Sequence, residues 1–110
     1  MKIAITATNN SLNSKIPDDF KSADYFLIIN TDNAYEYVFI PNMYNRSISG
    51  AEIFCSNFLI KHEIELFICG KYNQQAKKLL TLAGTKVFHM PNTGIKELFN
   101  FIKYEKGEWS

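Results

Sequence analysis

The side chains able to hold a soft metal or act as nucleophiles are few: Cys55 and Cys69, His62 and His89, and three methionines. Cys69 stands directly before Gly70, and His89-Met90 directly before Pro91. If both sites end neighbouring strands, Cys69, His89 and Met90 offer a sulfur–nitrogen–sulfur edge to a metal or a metal–sulfur cluster. Packing is the competing reading, because a cysteine in an apolar strand is commonly a small core residue. Strand alternation also sends adjacent side chains to opposite faces. Cys55 and His62 fall on one helical stripe. Packing suits Cys55, and a helix carboxyl terminus with its dipole suits His62. Asp18-Asp19 pairs two carboxylates, but Lys15 and Lys21 stand close in sequence and adjacent loop residues seldom aim at one point. Gly70-Lys71 and Ser49-Gly50 are isolated glycines. Neither belongs to a phosphate-binding G-x-x-x-x-G-K-[ST] or G-x-G-x-x-G pattern. Helix starts at Ser49 and Asn73 leave backbone N–H groups that could hold a small anion.

Positioning these residues falls to eight short elements. Ile3 to Ala7 is an apolar run rich in β-branched residues, followed by the polar loop Thr8-Asn9-Asn10-Ser11. Asp24 to Asn30 reads as a buried strand. Tyr35 to Ile40 alternates Tyr35, Tyr37 and Phe39 against Glu36, Val38 and Ile40. Thr31-Asp32-Asn33-Ala34 between them suits a tight turn, so the two strands form a hairpin. The face carrying Tyr35, Tyr37 and Phe39, with Tyr44 beyond, covers a helix or meets a partner. Ser49 and Glu52 have the spacing of a capping box, opening a helix whose stripe is Ala51, Phe54, Cys55, Phe58, Leu59 and His62. Ile64 to Cys69 is a further strand. Ala76, Leu79, Leu80 and Ala83 mark a short helix closed by Gly84. Lys86 to His89 is a short strand. Thr93 opens a last helix with the stripe Ile95, Leu98, Phe99 and Ile102, and the charged tail from Lys103 to Ser110 frays.

The order is therefore β-β-β-α-β-α-β-α. Right-handed βαβ crossovers make the later strands parallel, and the early hairpin contributes one antiparallel strand. A mixed five-stranded sheet with helices on both faces is expected, in one domain spanning residues 1–110. Ligands in such sheets lie beyond the carboxyl ends of the parallel strands. Ala7 to Asn10, Gly70 to Asn73 and His89 to Pro91 converge there.

Composition narrows the classes. The 110 residues are 46% hydrophobic, 15% aromatic and 21% charged, which is globular rather than disordered. Twelve basic and eleven acidic residues leave a net charge of +1, without the footprint of a nucleic-acid binder. No apolar run approaches the ~20 residues of a membrane span, and the start carries no signal-peptide pattern. Two cysteines make no disulfide framework, so reduced thiols in a cytoplasmic protein are expected.

Several segments in order carry a family likeness. They are the opening Met1 to Ile5, Leu12-Asn13-Ser14, Asp18-Asp19-Phe20 leading into Ala23 to Ile28, and the Gly50-Ala51 helix start. Ile64 to Gly70 and Leu82 to Phe88 follow. Together they resemble the dinitrogenase iron–molybdenum cofactor biosynthesis family, from Met1 to about Ile102. The resemblance implies a three-layer, ribonuclease H-like α/β fold. It also implies a small cytoplasmic protein that carries an iron–sulfur cluster, or its molybdenum-containing product, for nitrogenase assembly. No catalysis is implied. Where many members have His-Phe-Gly-Arg before the second strand, this chain has Asp19-Phe20-Lys21-Ser22. Asp19 replaces the histidine that is a plausible ligand, and a carboxylate is a hard donor poorly matched to a soft cluster. Of the family's glycine-rich turn after the fourth strand only Gly70 remains. A nuclease on this fold would need an acid on the first strand, and Ile3 to Ala7 has none.

The expected function is that of a non-enzymatic carrier. Thr8, Asn10, Asp19, Phe20, Lys71 and Tyr72 would form the rim, with Phe20 shielding the site and Lys71 complementing negative charge. His89 would coordinate, with Cys69 as the second metal candidate. Expected partners are a metal cluster or small anion and a protein of cluster assembly, with neither nucleic acid nor membrane, in a monomer or homodimer. The alternative is an interaction or small-anion module that has lost cluster binding.

Overall fold

The computed structural model describes residues 1–43 and 50–104; Tyr44, Ser49 and the tail from residue 105 onward lie outside the described residues. The strands are β1 (Lys2–Ala7), β2 (Tyr25–Asn30), β3 (Glu36–Pro41), β4 (Leu66–Cys69) and β5 (Lys86–His89). The helices are α1 (Ala51–Lys61), α2 (Gln74–Leu82) and α3 (Ile95–Tyr104), with a 3-10 turn at Phe20–Ser22. The strands make one mixed sheet in the order β3-β2-β1-β4-β5. β2 runs antiparallel to β1 and β3, whereas β4 is parallel to β1 and β5.

Both faces of this sheet are buried, which is why β1, β2 and β4 read as nearly continuous apolar runs. Ile3 and Ile5, Leu27 and Ile29, and Leu66 and Ile68 face α3, which contributes Ile95, Leu98, Phe99 and Ile102. Ala4, Phe26, Ile28, Phe67 and Cys69 face α1 and α2, which contribute Cys55, Leu59, Ala76 and Leu80. Aromatic rings bind this second layer. Phe67 meets Phe20 edge-on at 5.5 Å between centroids, and Phe26 stacks on Phe58 at 5.5 Å. Such pairs contribute roughly 0.5–1.5 kcal/mol each beyond the area they bury.

Tyr37 lies edge-on against Phe99 at 5.1 Å, so the aromatic face of β3 covers α3. The hairpin turn is one residue longer than the sequence suggests, because Ala34 and Tyr35 both take left-handed conformations (φ 55° and 58°). Three other local expectations are corrected. α1 is capped by Gly50 in the left-handed region with no side-chain cap bond, and the Glu52 carboxylate accepts instead from Asn73 Nδ2 at 2.7 Å. Phe54 lies 49% exposed rather than on the buried stripe, while Ser56 is buried and donates to the Glu52 carbonyl at 2.8 Å. β4 begins at Leu66, because the Ile64 N–H is held by the Leu59 carbonyl at the end of α1.

Residues 8–24 are the irregular part of the fold, and they run along the carboxyl edge of the sheet. Ile16 donates to Thr93 and accepts from Asn92, and its side chain is fully buried in the α3 layer. Four residues on, Phe20 N–H donates to the Lys71 carbonyl at 2.9 Å, and Lys71 N–H donates to the Asp18 carbonyl at 2.6 Å. The segment is thereby stitched to the ends of β4 and β5.

Candidate functional site

The parallel strands β1, β4 and β5 end at one sheet edge, as the chain order requires. Register puts Cys69 beside His89, and one step beyond the Ile5–Ile68 pair puts Thr6 beside Cys69. Hydroxyl, thiol and imidazole therefore form a row across three strands on the face covered by α1 and α2. Their exposures differ sharply. Thr6 and Cys69 are fully buried, whereas His89, on the edge strand, is exposed.

The cover over Cys69 is the loop before β2. Phe20 is fully buried against Phe67. It is thus a core side chain that plugs the end of the sheet, not the rim residue its sequence context suggests. Gly70 makes the close approach possible. A Cβ at this position would lie 2.6 Å from the Asp18 carbonyl carbon and closer still to the Pro17 and Asp18 oxygens. The glycine kept from the family's turn thus serves the passage of one backbone over another. Burial, with a smaller contribution from the Asp19 carboxylate, pushes the Cys69 thiol up to about 12 from an ordinary 9.0. The thiol is therefore protonated at neutral pH and lies beneath the Asp18–Phe20 loop. Cys55 is pushed up to about 12 in the same way, chiefly by burial, and lies 3.5 Å from Asn42 Oδ1. Neither cysteine is joined in a disulfide.

Above the sheet edge, three of the expected residues do meet. Lys71, Tyr72 and His89, joined by Gln74, line an open pocket of about 230 Å³. The Tyr72 ring stands edge-on to His89 at 6.3 Å, and Lys77 Nζ lies 5.8 Å from the Tyr72 centroid. α2 starts at this pocket. Its cap, Asn73 Oδ1, accepts from Ala76 N–H at 2.7 Å, and helix geometry leaves earlier first-turn N–H groups without intrahelical acceptors. The pocket thus combines one lysine, a helix amino terminus and one accessible imidazole, with Lys77 set beside it against the Tyr72 ring. Gln74 and Lys77 escape a reading by residue type. The spacing of Tyr72 and Lys77 around the Asn73 cap was the available signal.

The other rim candidates lie elsewhere. Asp19 pairs through its backbone with Lys71, and its Oδ1 accepts from Lys21 N–H at 3.2 Å. Thr8 lines a separate cavity of about 450 Å³ with Lys15, Asn92 and Lys96 on the α3 side. Asn10 is exposed, with its N–H bonded to the Asn9 side chain, and lines neither pocket. Met90 packs on the α3 layer, across the sheet from Cys69, which breaks up the sulfur–nitrogen–sulfur edge. His62 caps α1 and rests on Phe58 at 4.4 Å. Among the described residues no three His, Cys, Asp or Glu side chains gather as a metal-binding group.

The family model for the dinitrogenase iron-molybdenum cofactor matches residues 1–104. The chain belongs to that family. The expected family likeness is thereby established. Solved structures share its fold. The apo form of the orange protein from Desulfovibrio gigas superposes with a TM-score of 0.81 at 20% identity, covering 97% of this chain and 88% of that one. A Thermotoga protein named as a candidate NifB and placed in the DUF35 family gives a TM-score of 0.76 at 22% identity, covering 96% and 88%. No curated protein matches the sequence significantly. No helix among the described residues is long and apolar enough to cross a membrane.

Proposed function

We propose that this chain is a non-enzymatic carrier of a preassembled, anionic metal–sulfur cluster or of the iron–molybdenum product made from one. Family membership supports a cofactor as cargo. The observation that carries the reading is the pocket at Lys71, Tyr72, Gln74 and His89. A bare divalent ion needs about four protein donors, and the pocket presents one exposed imidazole. A cluster brings its own inner sulfide ligands and a net negative charge, so a single imidazole and nearby cations suit it better. His89 supplies the coordinating nitrogen. Lys71, Lys77 and the start of α2 supply positive potential, and Tyr72 a flat apolar wall. Such a weak, open seat suits a carrier that must give its cargo up. Cys69 contributes only if the Asp18–Phe20 cover is displaced; Asp19 borders the pocket through its backbone pairing with Lys71, whereas Thr8 and Asn10 stand apart from it.

The wider setting follows the family likeness: a ribonuclease H-like, cytoplasmic protein that hands its cargo to a partner of cluster assembly. The test is cluster uptake by the whole chain compared with His89→Ala. Substitution at an exposed edge-strand position leaves the fold intact and is expected to abolish uptake. Unchanged uptake removes His89 from the reading. A second reading, a small-anion or interaction module, is favoured by Asp19 standing where the family histidine is expected. Displacement of the cluster by inorganic phosphate at equal concentration would favour that alternative.

A further inference from the structure

We infer that the outer edge of β3 is a self-pairing surface through which two copies of this chain form a continuous ten-stranded sheet. The inference is independent of the cargo. Backbone parity fixes which groups face outward. Thr31 N–H bonds to the Met1 carbonyl and Asn42 N–H to the Asp24 carbonyl. With the β1–β2 and β2–β3 registers, the odd residues of β2 bond to β1 and its even residues to β3. The paired residues of β3 are then Glu36, Val38 and Ile40. The N–H and C=O groups of Tyr37 and Phe39 point away from the sheet, as does Pro41, whose missing N–H costs nothing there.

Natural edges are usually blocked by lysines, bulges, mid-strand prolines or short length. β3 has six residues in unbroken register, no lysine, and a proline only at its end. Between Glu36 and Pro41 its side chains are apolar; Tyr37 and Val38 are 43% and 52% exposed, and Phe39 and Ile40 half-buried. β5, the opposite edge, has four residues and is bounded by Lys86 and His89. A β3–β5 contact would be head-to-tail and leave a β3 edge open in any pair, whereas β3 against β3 closes on a two-fold axis.

One register is best. With the axis at Val38, Tyr37 faces Phe39 of the second copy and Phe39 faces Tyr37, and each pair exchanges two backbone hydrogen bonds. Moving the axis to Tyr37 brings in the left-handed Tyr35. Moving it to Phe39 loses a bond to the missing N–H of Pro41. The Val38 axis also sets Glu36 opposite Ile40 and keeps the two carboxylates apart. The cargo pocket beside β5 stays open at each far end, roughly 40 Å from its twin at ~4.8 Å per strand.

The test is the association state of the full chain by sedimentation from about 1 μM to about 1 mM, a span covering moderate to weak affinities. A monomer–dimer equilibrium is expected. Val38→Lys, which sets two ammonium groups on the axis, is expected to weaken it at least about tenfold with an unchanged circular dichroism spectrum. Val38→Cys is a second, geometric check. Residues 38 form a non-hydrogen-bonded pair with Cα atoms about 4.5 Å apart, within disulfide reach, so mild oxidation crosslinks V38C and not Y37C. A chain monomeric throughout overturns the inference and leaves the edge to an extended segment of another protein. A dimer indifferent to Val38→Lys, or crosslinked equally through Tyr37→Cys, overturns it too.

Discussion

Gly70→Ala tests the architecture of the sheet edge most sharply. The added methyl would lie 2.6 Å from the Asp18 carbonyl carbon and nearer to two carbonyl oxygens. These are backbone atoms that no rotamer change can move aside. The loop must lift, and three contributions go with it. The two backbone hydrogen bonds between Lys71 and the Asp18–Phe20 segment contribute about 0.5–1.5 kcal/mol each. Burial of Phe20 contributes about 1.5–3 kcal/mol. Full displacement therefore costs roughly 3–6 kcal/mol, and a partial shift somewhat less. For a domain near this size each kcal/mol moves Tm by about 4–8 °C, so a fall well beyond 10 °C is expected. Thermal unfolding by circular dichroism reads the loss. A second readout is alkylation of Cys69 under native conditions, which should accelerate once Phe20 no longer covers the thiol. A variant within about 1 kcal/mol of wild type, with Cys69 equally protected, would refute the structural role assigned to Gly70.

Two further outcomes follow from buried groups. Thr6 Oγ1 is fully buried and has no hydrogen-bond partner among the described residues. An unsatisfied buried hydroxyl costs about 1–3 kcal/mol, so isosteric Thr6→Val should raise stability by about 1 kcal/mol or more in chemical denaturation. Destabilisation of that size would mean that the hydroxyl has a partner. Both thiols are pushed up to about 12 from 9.0, so above pH 9 the unfolded chain releases protons that the folded chain keeps. Their contribution is fully present below pH 9 and is lost as pH rises toward 12, at about 1.4 kcal/mol per pH unit for each thiol. Cys69→Ala should remove about that much slope between pH 9 and 11, and an unaltered slope would place Cys69 in contact with solvent.

The regular elements were legible because both sheet faces are buried and α2 and α3 each write one apolar stripe, whereas α1, with Phe54 exposed and Ser56 buried, does not. α3 is plain in Ile95, Leu98, Phe99 and Ile102, and the carboxyl edge of β1, β4 and β5 followed from chain order. Residues 8–24 were not legible. Ile16 and Phe20 are buried only because their backbones pair with Thr93 and Lys71, some 50 or more positions away, and no local period reports such a contact. For the same reason the rim candidates separate. The loop folds Thr8 toward α3 while Asp19 runs beside Lys71. Glu52 had the spacing of a capping box, yet Asn73 on another helix takes its carboxylate. The lone glycine at position 70 read as the remnant of a lost ligand turn, and its steric purpose appears only with Asp18 lying over it.

The central claim is that the Lys71–Tyr72–Gln74–His89 pocket seats a preassembled cluster. Its most direct test is anaerobic titration of the purified chain with an iron–sulfur cluster donor, followed by gel filtration with visible absorption and iron and sulfide content. The expected result is retention of about one cluster per chain, lost in His89→Ala. No retention by a folded, monodisperse protein would contradict the carrier reading.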